Sequence, residues 1–210
     1  MNRNRPSGEQ LAQDRFGTSS RAASFYANQM LDHLNAHMRQ FIAKQEMVFI
    51  ATANGEGACD CSFRAGTPGF VHVLDENSLA YPEYRGNGVL ASVGNILENP
   101  HIGMIFLDYY QTTMGLHVNG TARVLTPIET EHLQYLPAGM IEASRIKGGR
   151  RPLVWIIVKV KEAYVHCSKH VPRMKRLDKD ISWGTDDETL KGGDFFKVKA
   201  KQPHGGKSFG

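Results

Sequence analysis

The chain is poor in the residues that would commit it to a covalent or metal scaffold: 210 residues contain three cysteines, Cys59, Cys61 and Cys167. They form no CxxC pair and have no histidines at zinc spacing, so neither a disulfide framework nor a metal site is expected, and the odd count suits a reducing compartment. No run of about 18 apolar residues occurs, and the N-terminal "MNRNRPSGEQ" lacks an apolar signal core. The expectation is a soluble, cytoplasmic protein with no membrane partner. One-sided charge is missing too: 25 basic residues against 21 acidic ones leave a formal +4, gathered only between Lys169 and Arg176 and in a Lys-rich tail. A nucleic-acid surface needs a denser basic stripe with interleaved aromatics, so no nucleic-acid partner is expected. The glycine-rich turn at 86–88 lacks the GK[ST] ending of a nucleotide-triphosphate loop and follows no GxGxxG, and no internal repeat is seen.

What remains is enough for one large domain, with 41% hydrophobic content. Residues 1–17 read as a flexible polar arm, and residues 18–45 as one or two amphipathic helices, with Phe25, Met30, Leu31, Leu34, Met38, Phe41 and Ile42 at helical spacing and Asn35 as an internal cap. Short β signals follow at 47–53, 58–65, 70–75 and 78–84, punctuated by the turn residues Asn54-Gly55 and Thr67-Pro68-Gly69. A helix over Val89 to Leu97 stops at Asn99-Pro100. Strands are then expected at 101–110, 115–126 (with a bulge or bend at Asn119-Gly120) and 153–168, around a helix over 128–143. Strands without βαβ alternation indicate a mainly β (α+β) fold, a closed or half-closed antiparallel barrel with peripheral helices, over residues 46–176. Residues 177–210 read as a polar tail, its last ten residues or so disordered, although Arg173 to Arg176 and Trp183 could still dock.

The stretch "CDCSFRAG" puts Asp60, Ser62 and Arg64 on one face and Cys61 and Phe63 on the other. An arginine fork with a hydroxyl two residues away suits a phosphate or carboxylate, though a neighbouring acid, Asp60 or one on the next strand, could equally claim the guanidinium. Cys59 and Cys61 are expected to pack as small apolar groups. Further on, "YRGNGVLASVGNI" sets Gly86, Asn87 and Gly88 ahead of a helix, with Arg85 beside the turn and Ser92 a turn inside, where free amides can receive an anion. Between the two lies Tyr81-Pro82, able to offer carbonyls and an aromatic edge to a flat ring. Together they favour a phosphorylated aromatic cofactor. His117, His166 and Cys167 are open to either a structural or a cofactor role.

The succession "DCSFRAGTPGFVHVLDENSLAYPEYRGNGVLASVGNILENPHIGMIFLD", "GLHVNGTARVL" and "EAYVHCSKHVPRM" resembles the pyridoxamine 5′-phosphate oxidase-like proteins with the flavin-binding split barrel, from about residue 20 to residue 176. The resemblance implies an antiparallel split β-barrel homodimer binding two flavin mononucleotides (FMN) at the subunit interface. Arg64 and Ser92 would hold the phosphate; Ser62, Tyr81, Pro82 and Asn87 fall on flavin-lining segments; Leu116 and His117 would approach the ring from the partner subunit or from behind. Ser92 stands where the authentic oxidase has a helix-start lysine, and its C-terminal Trp and Arg segment has no clear counterpart here. The resemblance therefore implies a broader FMN-dependent oxidoreductase of a small-molecule substrate, with a nicotinamide coenzyme, oxygen or a small oxidised compound as redox partner and no assignable catalytic residue. Two alternatives accompany it: a flavin or haem carrier or stress protein, with His117, His166 and His170 as candidate axial ligands, and a deazaflavin-dependent reductase served by the basic cluster at Lys169 to Arg176.

Overall fold

Alternating burial runs through most of the chain's strands, and the sheet they form is described by a computed structural model over residues 7–132, 136–146 and 151–198. Two helices, α1 (Ser7–Phe16) and α2 (Ser19–Asn28), lead through β1 (Met30–Leu31) and α3 (Ala36–Ile42) to β2 (Met47–Ala53), β3 (Cys59–Ala65), β4 (His72–Val73) and β5 (Ser78–Glu83). Helix α4 (Ala91–Glu98), β6 (His101–Leu107), β7 (Gly115–Leu125), α5 (Pro127–His132), α6 (Ala138–Arg145) and β8 (Val154–His166) follow. All strand pairs are antiparallel, in the order β3-β2-β6-β7-β8-β5-β4, with β1 added to β8. The result is a curled half-barrel with helices at its periphery, as the strand pattern implied.

Period two explains which side is filled. In β2, Val48, Ile50 and Thr52 are buried while their neighbours are not, and the cross-strand partners Ile102 and Met104 of β6 and Val118 of β7 continue the same face. Leu79, Tyr81, Phe106, Ile156 and Val158 complete that core. A second, smaller cluster lies on the other side of β5 and β8, where Ala80, Leu125 and Trp155 pack on Met140 of α6. Fully burying side chains of this size contributes roughly 1.5–3 kcal/mol each.

Local chemistry sets the joints. Asn54 Oδ1 accepts from the amides of Glu56 and Ala58 to close the β2–β3 turn. Asn35 caps α3 by accepting from the Met38 amide at 2.9 Å, as its position suggested. The bulge at Asn119-Gly120 is present: Asn119 pairs with Glu162 and Gly120 with Val160, leaving Lys161 over, and a Cβ at residue 120 would collide with the Lys159 carbonyl oxygen.

Several boundaries differ from the sequence reading. Residues 7–16 of the expected arm are helical, with residues 8–16 mostly exposed, and are tied to α2 where the Tyr26 hydroxyl meets Glu9 and Gln13. Met30–Leu31 leaves the expected helix to pair with β8. The helix expected over 128–143 is two helices, with Pro137 before α6. The strand expected over 70–75 shrinks to His72–Val73, and the disorder expected at the extreme C-terminus lies outside the described residues. Arg173 does dock, donating to the Gln111 carbonyl at 2.7 Å, and Arg176 pairs with Glu46. Among the described residues no helix is long and apolar enough to cross a membrane.

Candidate functional site

Arg64, Ser62 and Asp60 pair across strands with Val48, Ile50 and Thr52, so all three side chains share the core face. Because β3 ends the sheet, they reach across the split towards β5 and α4 instead of meeting another strand. The Arg64 Nε donates to Glu83 Oε2 at 2.9 Å, Nη2 lies 2.9 Å from the same oxygen and 3.3 Å from Ser92 Oγ, and Nη1 donates to the Phe63 carbonyl. Asp60 Oδ2 accepts from Ser62 Oγ at 2.8 Å and from Ser92 Oγ at 3.1 Å. An ion pair and two hydroxyls thus bridge a gap that no backbone ladder crosses.

This web is well shielded: Glu83 is 6% exposed and Ser92 3%. Burial pushes the Glu83 carboxyl above its ordinary range, and the adjoining Arg64 pulls it partly back. Tyr81, fully buried on the same face of β5, has a phenol held well above its usual value by burial and by the Glu83 charge. Its hydroxyl has no hydrogen-bond partner among the described residues, a cost a native fold carries at few positions. Beside the web, Leu90 precedes α4 with φ 54°, a left-handed conformation that is unusual for leucine, and it has no side-chain acceptor to offer the first-turn amides. Ser92 belongs to that first turn. Arg64, two hydroxyls and the positive end of α4 therefore converge on one place, the donor set that a phosphate monoester requires.

The donors suit a phosphate group, on a condition that these contacts set. Two carboxylates already engage them, so a phosphate has to take Ser92 Oγ from Asp60 and N–H groups from Glu83. The orphan hydroxyl of Tyr81, on the same inner face as Glu83, is a further polar group that the protein itself leaves unused.

Of the residues singled out from sequence, Ser62, Arg64, Tyr81 and Ser92 come together here. Pro82 is buried on the opposite side of β5, paired with Trp155. Arg85 is exposed and grips both oxygens of Asp186 at 2.8 and 2.6 Å, and Asn87 Oδ1 accepts from the Val89 amide, a turn role. Leu116 is core, at 4% exposure, while His117 points to the outer face of β7. Glu83 was not singled out. Its parity with Tyr81 in "SLAYPEY" carried the signal, since residues two apart on a strand share a face.

The outer face has different chemistry. Phe63, Phe49, Ile105, His117 and Tyr164 stand in one cross-strand row over five strands, with Phe63 51% exposed. The His117 ring stacks on Tyr164 at 4.6 Å, and its Nε2 lies 3.0 Å from His166 Nδ1. Burial and the neighbouring His166 charge hold His117 below the ordinary imidazole value. Cys59 and Cys61 are exposed rather than packed, because an edge strand leaves its outer side chains without neighbours. Two open hollows of about 570 and 610 Å³ lie elsewhere, one lined by Asp32, His33, Glu76, Asn77, Val160 and Lys161, the other between the first two helices and Tyr164.

Set against known proteins, the chain matches no curated one. Among solved structures it is similar to HupZ from Group A Streptococcus (18% identity, 67% of this chain and 98% of that one, TM-score 0.45). It is also similar to a Clostridium acetobutylicum protein related to general stress protein 26, of the pyridoxinephosphate oxidase family (13%, 66% and 89%, TM-score 0.44). A third is HutZ, the haem storage protein of Vibrio cholerae (9%, 63% and 94%, TM-score 0.42). The family described as pyridoxamine 5′-phosphate oxidase matches residues 34–167, well over half of the sequence and the whole span from α3 to the end of β8, and the chain belongs to that family.

Proposed function

We infer that the chain is an FMN-dependent oxidoreductase of a small molecule, working as a homodimer. The observation that carries this is the meeting of Arg64 with Ser92 in the uncapped first turn of α4, on the core side of an open barrel edge. Arg64, Ser92, Ser62 and the first amides of α4 would hold the phosphate. Asp60 and Glu83 keep those donors oriented, and the phosphate's own charge replaces part of their acceptance. When bound, the isoalloxazine supplies hydride transfer, and the protein's task is to position the substrate and exclude water.

Dimerisation is supported by two features. Phe63, Phe49 and Ile105 on the outer face offer apolar surface to a second copy, and the Arg64–Ser92 cluster stands at the open edge of the sheet, where a partner would give a ring anchored there a second wall.

The test is FMN titration, followed by quenching of its fluorescence, with riboflavin as the phosphate-free control. Arg64→Ala should weaken FMN by about 1.5–3 kcal/mol, the range for a hydrogen bond to a charged group, and leave riboflavin unchanged. Equal binding of FMN by wild type and variant would remove Arg64 from the site. An absorption spectrum of the purified protein separates the cofactors: twin flavin bands with released FMN support the reading, and an intense Soret band overturns it in favour of haem.

A further inference from the structure

The His117–His166 pair lies outside the anion cluster and has its own geometry. His117 of β7 stands opposite Tyr164 of β8, and their rings are stacked 17° from parallel. His166, two residues beyond Tyr164, is on the same outer face, and the two facing ring nitrogens are 3.0 Å apart. Both side chains are half-buried.

Two nitrogens bound to one metal at about 2.0–2.1 Å stand about 2.9 Å apart at a right angle and about 3.4 Å apart at the tetrahedral angle. The observed spacing matches neighbouring positions of a square or octahedral site, the arrangement favoured by Cu2+ and Ni2+. It does not match bis-histidine haem, since a porphyrin leaves its iron two opposed axial positions, twice a bond length apart.

We propose that His117 and His166 form a two-nitrogen chelate for a borderline divalent cation, Cu2+ ahead of Ni2+ and Zn2+. Among the described residues no cluster of three or more His, Cys, Asp or Glu assembles, so water fills the other positions and the metal exchanges freely. Glu162, on the same face, is engaged by Asn119. Without metal, one N–H lies between the two rings. On coordination that proton passes through solvent to the far nitrogen of the same ring, each ring turns its lone pair to the metal, and no net proton is released.

The test uses the full-length, metal-free chain titrated with Cu2+ against glycine as competitor. Wild type should bind one Cu2+ per chain at this site. His117→Gln or His166→Gln should each weaken it by more than the roughly 10- to 100-fold that loss of an outer-shell partner costs, whereas His101→Gln, at an exposed histidine on β6, should not. Equal affinity in all three variants would overturn the proposal and assign the copper to other groups. Should the two variants fail to fold, NMR of the unmodified protein decides: substoichiometric Cu2+ should broaden the His117 and His166 ring signals together and first, and broadening that begins at other histidines would overturn the chelate.

Discussion

Adjacent residues of β3 face two environments that share almost nothing. Inward, Asp60, Ser62 and Arg64, all half-buried, join the buried Glu83 and Ser92 in a polar web whose bonds share donors and acceptors. Outward, Cys59, Cys61 and Phe63 are exposed, with little to hold them. The difference shows that one strand can carry a site on one face and a docking surface on the other because a period of two keeps them apart. It also means that substitutions one residue apart should report on different properties.

The largest effect should come from Glu83→Ala, which strands a shielded guanidinium. Urea denaturation should show a loss of about 3–5 kcal/mol, the usual result of removing one partner of a buried pair. A loss below about 1 kcal/mol would mean that solvent screens the Arg64–Glu83 pair as it does a surface one.

Ser92→Ala should cost less, about 1–2 kcal/mol for the lost hydrogen bonds with Arg64 and Asp60, while weakening FMN more than riboflavin. Tyr81→Phe sharpens the contrast within the inner face. It removes an unpartnered hydroxyl, so stability should hold or rise slightly, and a fall in FMN affinity would assign that hydroxyl to the ligand.

On the outer face, Phe63→Asp should change monomer stability by no more than about 0.5 kcal/mol yet shift the elution volume from dimer to monomer. An unchanged elution volume would remove this row from the interface. The smallest effect concerns pH. His117 has its folded pKa lowered, so its contribution is fully present above the unfolded value near 6.5 and is lost as pH falls through the folded one. Stability should therefore decline on acidification below about pH 6.5, and His117→Gln should flatten that slope.

The sequence was informative where a rule is local. Parity alone put Asp60, Ser62 and Arg64 on one face, Gly120 announced its bulge, and Asn35 its cap. It said less where the decisive contact is distant. Glu83 meets Arg64 because β3 and β5 lie near opposite ends of the same curled sheet, and no short window holds that fact. Cys61 looked like a packing residue because position within a strand does not reveal whether the strand is an edge. His117 and His166 are 49 residues apart and met only once the register of β7 on β8 was known.

β8 hydrogen-bonds to β7, β5 and β1 at once, and among the described strands it is the last to be made. During synthesis β1 has nothing to pair with and β5 has only the two residues of β4 until the ribosome has passed residue 166 of 210. Leu79 and Tyr81, fully buried at the end, must wait in the open until then. A nascent chain built this way folds late and all together, and a ribosome stalled before Val154 would present a partner-seeking edge to every chaperone within reach.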